Sequence, residues 1–272
     1  MTDATSYPFG DSSDVTNRSQ YEQFLLLCTQ AGTLLLQFGG ETSRVEETIA
    51  HLALSAGFSA HEVQSFVTPT GIFVSMNTPS GTQTKLTRVR GPFQLNLAKV
   101  TEINELSRRF SRGECTISEA QSALVRIETA RPIYPLALRR ACAGISSGSF
   151  TVVLGGSAVG FLIAALSGLL AQLVTEWLAA YVPRFFGVLL AGLCSAFLAS
   201  SLADFVHAPQ TGAIIVGAVL PLLPGLAVTN AIRDLLAGDL LSGVARGAEA
   251  LFTAVAISVA VTVAISLHAH AG

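Results

Sequence analysis

The sequence predicts an α-helical integral membrane domain of about five spans, preceded by a soluble α+β domain. Charge is concentrated at the start of the chain, where residues 1–132 hold 11 of the 16 Lys and Arg and 13 of the 18 Asp and Glu residues. Residues 133–272 instead hold almost all of the long apolar runs, which are typical of membrane-spanning helices. Two T-P-x-G sequences in the first half, beginning at Thr68 and Thr78, are typical of turns between short strands.

We therefore expect three regions: a disordered tail over residues 1–20, a cytoplasmic α+β domain over 21–132 and a transmembrane domain over 133–272. The tail holds three Asp residues and lacks the apolar segment of a signal peptide. The net charge of −2, without a basic patch, is not that of a nucleic-acid-binding protein. Nucleic acid is therefore not an expected partner.

Apolar spacing and turn residues predict the order ααβββαα for the soluble domain. Ser43 and Glu46 form an S-x-x-E sequence that is expected to cap the second helix, and Thr116 with Glu119 is expected to cap the last. The predicted elements are helices at Tyr21–Phe38 and from Ser43 to just before Gly57, strands near Glu62–Val67, Ile72–Met76 and Thr82–Val89, and helices at Leu95–Phe110 and Thr116–Ala130.

The second half divides into five predicted spans, and Pro221, Pro224 and Gly225 are expected to interrupt the fourth because proline removes a helix hydrogen bond. All five Lys and Arg residues of this half fall on one side of the spans. The positive-inside rule then predicts a cytoplasmic N-terminal domain and an external C-terminus. The predicted spans are Ala137–Leu154, Ala158–Leu178, Phe186–Ala203, Thr211–Val228 and Ala248–Leu267.

A polar segment between the last two spans is the main candidate site. Charges near bilayer depth cost roughly 2.5–3.5 kcal/mol each on insertion scales, so they tend to persist where they face a cavity or the interface. Asn230 and Asp234 share a helix face, and the guanidinium of Arg233 suits a carboxylate. An ordinary surface helix with structural ion pairs is the alternative. The candidate substrate or ion pathway comprises Pro224, Gly225, Thr229, Asn230, Arg233, Asp234, Asp239, Arg246 and Glu249.

Three segments resemble the threonine/serine exporter family, whose shorter members include the membrane subunit of a two-component succinate exporter. They are GGETSRVEETIAHLALSAGF, FVTPTGIFVSM and PGLAVTNAIRDLLAGDLLSGVARGAEALFTAVAI. The resemblance implies an amino-acid or organic-acid exporter of the plasma (inner) membrane. Full-length members continue into a second membrane half, so it also implies a second small membrane subunit, a homo-oligomer, or both.

Two parts of the soluble domain lie in segments that carry this resemblance. We expect a gating or substrate-sensing role for them, although helix-start charges and an ordinary hairpin turn are the simpler interpretations. The residues are Glu41, Arg44 and Glu46 at the start of the second helix, and Thr68, Pro69, Thr70 and Gly71 in the first turn.

Three classes of function compete. The leading one is a secondary exporter of threonine and serine or of succinate, driven by an ion gradient because the sequence has no ATP-binding motif. The alternative is a membrane-anchored ligand sensor or scaffold. An enzyme is the third, and we find no nucleophile elbow, phosphate-binding glycine loop or H-E-x-x-H sequence to support it. We therefore expect no catalytic residues, no cofactor and no metal site.

Overall fold

The computed structural model describes residues 14–59, 61–79, 81–90 and 95–271 of the chain. The chain divides into two compact units. The first comprises Met1–Arg131 together with Asn230–Arg246, and the second comprises Pro132–Thr229 together with Gly247–Gly272. Residues 230–246, which carry most of the candidate polar residues, thus belong with the first unit.

The first unit follows the predicted order of helices and strands. A three-stranded antiparallel sheet runs in the order β1-β2-β3, and the two T-P-x-G sequences join its strands, with Thr68 opposite Gly71 and Thr78 opposite Gly81. The elements are α1 (Asp14–Gln37), α2 (Thr42–Ser55), β1 (Val63–Thr68), β2 (Gly71–Thr78), β3 (Gly81–Arg88), α3 (Leu97–Ser111) and α4 (Ile117–Thr129).

Helix α1 begins earlier than the sequence predicts. Residues 14–20, which were expected in the disordered tail, form its first turns, and residues 1–13 of that tail lie outside the described residues. The core of the unit contains one face of the sheet, shown by Ile72, Val74 and Met76, which are fully buried while Phe73 is 41% exposed. Leu97, the first residue of α3, is largely exposed, whereas Val100, Ile103, Leu106 and Phe110 of the same helix are buried.

The two predicted helix caps have opposite outcomes. In α4 the capping box is confirmed, with Thr116 and Glu119 bonded reciprocally. For α2 the predicted cap is wrong: the helix begins at Thr42, so Ser43 lies inside its first turn. The side chain of Glu46 accepts a hydrogen bond from the N–H of Val67 in β1, at 2.9 Å, and is not available to Ser43.

The second unit is built from helices. Its elements are α5 (Leu136–Val153), α6 (Ala158–Leu178), α7 (Arg184–Phe205), α8 (Thr211–Ala218) and a short 3₁₀ turn (Leu220–Leu222), followed by the first residues of α9 (Gly225–Ala237) and most of α10 (Leu240–Ala271). A buried cluster of mainly alanine, valine and isoleucine joins α6, α7, α8 and α10. At Gly148 the backbone of α6 approaches so closely that an added Cβ would lie 2.7 Å from the carbonyl oxygen of Phe161.

Three described helices, α6, α7 and α10, are long and apolar enough to cross a membrane. A fourth span is added if α8, with its 3₁₀ turn, and α9 are counted as one segment bent by 63°. The expected span at Ala137–Leu154 forms helix α5, which carries Arg139 and Arg140 and is not one of these. The total of five spans therefore stays a prediction. The break at Pro221 and Pro224 lies where the sequence predicts it.

Candidate functional site

Four side chains from residues 230–246 contact the short connection between α1 and α2 within the first unit. The contacted residues are 39–41 of the connection and Thr42, the first residue of α2, and the side chains are those of Asn230, Arg233, Asp234 and Arg246. We call these eight residues the Asp234 cluster. Four of the nine candidate pathway residues are thus brought together, on the helix that follows the proline break and on the next one.

The end of α1 leaves the backbone carbonyls of the connection available to side-chain donors. Gly39 has a φ of +92°, a conformation that favours glycine, and an added Cβ at Gly40 would lie 2.9 Å from the carbonyl oxygen of Leu35. The Asn230 side-chain amide donates to the carbonyl of Gly39 at 3.2 Å. Arg246 donates from Nη2 to the carbonyl of Gly40 at 2.9 Å. These two bonds fix the course of the connection.

Asp234 supplies the acceptor that the start of α2 lacks in its own sequence. The N-cap residue Glu41 makes no side-chain cap. Instead, Asp234 Oδ1 accepts from the N–H of Thr42 at 3.2 Å, and Oδ2 accepts from the Thr42 hydroxyl at 3.4 Å. Both side chains are fully buried. A carboxylate at this end of a helix is also favoured by the helix dipole.

Arg246 neutralises the buried carboxylate. Its Nε lies 3.2 Å from Asp234 Oδ2, and its side chain is 13% exposed. The contact is an ion pair without hydrogen-bond geometry at Nε. Removing one member of such a pair leaves an uncompensated charge in a poorly solvated place, which is strongly destabilising. Asp234 and Arg246 are therefore suited to holding the cluster together.

Arg233 forms the second ion pair of the cluster, with Glu41. Its side chain is 59% exposed, whereas that of Glu41 is 20% exposed. Exposed ion pairs contribute only about 0–1 kcal/mol, so either partner is readily exchanged for another ion. The guanidinium of Arg233 thus already binds a carboxylate in a position that solvent reaches.

The remaining pathway candidates lie outside the cluster. Pro224 and Gly225 form the break before α9, and Thr229 is exposed and bonds the carbonyl of Gly225 within the helix. Asp239 precedes α10 and accepts through its backbone carbonyl from Gly243. In the second unit, exposed Glu249 pairs with Arg184 at 2.7 Å.

The gating candidates separate in the same way. Glu41 belongs to the cluster, whereas Arg44 lies on an exposed face of α2. The residues from Thr68 to Gly71 form an ordinary hairpin turn, in which the Thr68 hydroxyl bonds the carbonyl of Gly71 at 3.0 Å. The carbonyl of Thr70 accepts a hydrogen bond from the N–H of Val89 at 2.9 Å, at the end of the neighbouring strand. These contacts are typical of an ordinary hairpin turn, which was the simpler interpretation of this sequence.

Burial raises the pKa of Glu46 above its ordinary value of 4.5, the N–H of Val67 acts against that effect, and the charge of Asp239 adds to it. The protonated carboxyl therefore stabilises the fold at low pH, and that contribution is lost as the pH rises through the raised pKa. Glu46→Gln keeps an acceptor for Val67 and does not ionise. We expect the variant to melt above the wild type at pH 7 and together with it at pH 4.

Exposed Glu102 on α3 provides the control, since Glu102→Gln removes the same charge without touching a buried acceptor. Its melting temperature should follow the wild type at both pH values. A difference between Glu46→Gln and wild type that does not change with pH would contradict the assignment.

The sequence analysis missed three members of the cluster: Gly39, Gly40 and Thr42. The paired glycines were visible as the end of α1, but nothing local shows that their carbonyls meet side chains 191 and 206 residues later. Among the described residues, no group of three or more His, Cys, Asp and Glu side chains is placed to hold a metal ion.

The apolar helices and the broken helix before the cluster define a multi-pass membrane protein. Residues 26–268 match the family model for the threonine/serine exporter. Because that match covers most of the chain, the protein belongs to the threonine/serine exporter family.

Two curated relatives resemble the chain. The "Threonine/serine exporter" of Corynebacterium glutamicum is 24% identical over 243 residues, which are 88% of this chain and 50% of that protein. The chain thus spans about half the length of this relative. The "Probable succinate transporter subunit YjjP" of Escherichia coli (strain K12) is 25% identical over 225 residues, 82% of this chain and 86% of that protein. No solved structure matches the chain.

Proposed function

We propose that the chain is a subunit of a secondary exporter that carries small amino acids, such as threonine and serine, or dicarboxylates such as succinate. Family membership and the names of the two relatives support the substrate classes. An ion gradient drives export in this proposal. Its location is the plasma (inner) membrane, with the first unit in the cytoplasm and the C-terminus outside.

The Arg233–Glu41 ion pair is the observation that carries the proposal. All the proposed substrates have a carboxylate, and Glu41 presents the same group to Arg233. A planar guanidinium binds carboxylates through two parallel hydrogen bonds. We place the substrate carboxylate where Glu41 now lies, so that substrate and Glu41 alternate on Arg233 while Asp234 and Arg246 keep the connection in position.

The pathway is completed by a second membrane unit in this proposal. The Escherichia coli relative, of which the match covers 86%, is named a transporter subunit, and this supports a partner in the assembly. A partner chain or a second copy of this chain supplies that unit. Cysteine labelling at Thr82 from each side of the membrane tests the orientation, because labelling from outside would contradict a cytoplasmic first unit.

Counterflow in proteoliposomes tests the exporter hypothesis. We expect saturable exchange of L-threonine or of succinate, at a rate per chain that rises with the protein-to-lipid ratio or on adding solubilised proteins of the native membrane. Vesicles carrying heat-denatured protein are the control. Exchange by isolated single chains at the full rate would contradict the need for a second unit, and no exchange of either substrate under any condition would overturn the exporter.

The second candidate function is a membrane-anchored sensor that binds a ligand through the first unit. One observation favours it: α2 and α3 border an open cleft with polar walls. The sensor hypothesis predicts ligand binding without counterflow, so the same vesicles separate the two functions. Classification as a transporter and not as an enzyme follows from family membership.

A further inference from the structure

A cleft of about 430 Å³ lies between α2 and α3 in the first unit, and its lining includes none of the residues of the Asp234 cluster. That volume is within the range of small-molecule sites, roughly 300–1,000 Å³. On α2 its wall is formed by Arg44, Glu47, Thr48 and His51, which are spaced so that all four share one helix face. On α3 it includes the side chains of Asn104 and Arg108.

The charged groups of the cleft are not equally available. Arg108 is bonded to Glu105 at 3.0 Å, and Arg112, at the same wall, is bonded to Glu114 at 2.5 Å. Within the part of the chain that the structure describes, Arg44 and Glu47 have no ion pair with each other or with another side chain. The cleft thus offers one unengaged guanidinium and one unengaged carboxylate on neighbouring positions of α2.

An α-amino acid presents the matching pair of charges, a carboxylate and an ammonium group on one carbon atom. Arg44 suits the carboxylate through its two-pronged donor geometry, and Glu47 suits the ammonium. A dicarboxylate offers Glu47 only repulsion. The amide of Asn104 and the hydroxyl of Thr48 add donors and acceptors for a polar side chain.

We propose that this cleft binds a free, zwitterionic α-amino acid as a regulatory ligand. Helix α2 carries Arg44 and Glu47, and its first residue, Thr42, is the one bonded to Asp234. A ligand between α2 and α3 therefore acts on the helix whose first residue the cluster holds. The regulatory consequence rests on the proposed export function, whereas the binding itself does not.

Equilibrium binding of radiolabelled L-threonine and succinate to the full-length purified chain tests the proposal. The measurement is made in an Arg233→Lys background to weaken binding at the proposed transport position. We expect L-threonine to bind, and Arg44→Gln and Glu47→Gln each to weaken it at least tenfold. Glu47→Gln should leave succinate binding unchanged or tighter, because only the repulsive group is removed.

Arg126→Gln and Glu102→Gln are matched controls, since both side chains are exposed on helices but do not line the cleft. They should bind L-threonine like the parent. Unchanged threonine affinity in both cleft variants would overturn the proposal, as would succinate binding that depends on Arg44 with no threonine binding. Threonine binding that depends on Arg44, in a chain whose export does not depend on Arg233, would sustain the cleft and contradict the transport site.

Discussion

Replacing Asp234 with Ala is expected to lower the free energy of unfolding of the first unit by about 3–5 kcal/mol. The variant leaves Arg246, 13% exposed, without its counter-charge. It also removes the acceptor of the Thr42 N–H and hydroxyl, both of which are buried. Hydrogen exchange of the amides in the first turn of α2 should accelerate by about two orders of magnitude, because opening of that turn then no longer breaks the bonds to Asp234.

Asp204→Ala is the matched control. It removes the same group from a site that is 77% exposed, so the expected change is within about 0.5 kcal/mol. A double variant, Asp234→Ala with Arg246→Met, should recover part of the lost stability, since no lone buried charge remains. Wild-type exchange rates in the Asp234→Ala protein would show that the cluster does not hold α2.

The two ion pairs of the cluster differ in solvent exposure, and this assigns them different tasks. Desolvation makes the Asp234–Arg246 pair costly to break, so it keeps the connection fixed. Water reaches most of Arg233, so its bond to Glu41 is easily exchanged. In the proposed mechanism, stability and carboxylate exchange therefore depend on neighbouring residues of one helix. We therefore expect substitutions at Asp234 to change mainly the stability of the fold, and substitutions at Arg233 to change mainly the rate of transport.

Features set by a few neighbouring residues could be predicted from the sequence. The hairpins follow from Pro and Gly within four-residue turns, and the cap of α4 is formed by two residues three positions apart. The break before α9 follows from Pro221 and Pro224, which remove backbone donors wherever they lie in a helix. The residue types of the candidate site were also visible, because charges stand out among apolar neighbours.

Features set by distant contacts could not be predicted. The cap of α2 comes from Asp234, 192 residues from Thr42. A carboxylate from elsewhere in the chain leaves no local pattern, and the S-x-x-E sequence at Ser43 suggested a cap that the structure does not use. The carbonyls of Gly39 and Gly40 are missed for the same reason. The grouping of residues 230–246 with the first unit depends on those long-range contacts too.

Arg233→Lys is expected to reduce export at least tenfold, equivalent to about 1.4 kcal/mol or more of lost binding at the carboxylate. Lysine keeps the charge but loses the planar pair of donors that binds both carboxylate oxygens. Because Arg233 is 59% exposed, the melting temperature should stay at the wild-type value. Export is measured as initial counterflow rate in proteoliposomes, with Arg109→Lys, an exposed arginine paired with Glu114 at 3.6 Å, as the control.

Glu41→Gln gives this prediction a second readout with the opposite sign. If the substrate carboxylate replaces Glu41 on Arg233, removing the negative charge at position 41 removes an internal competitor. The half-saturating substrate concentration should then fall, while in the Arg233→Lys protein it should rise. A pair that only stabilises the fold predicts neither change, because its loss alters melting and leaves the substrate dependence untouched. If both variants keep the wild-type half-saturating substrate concentration and the wild-type export rate, Arg233 forms only a surface ion pair and the transport role is wrong.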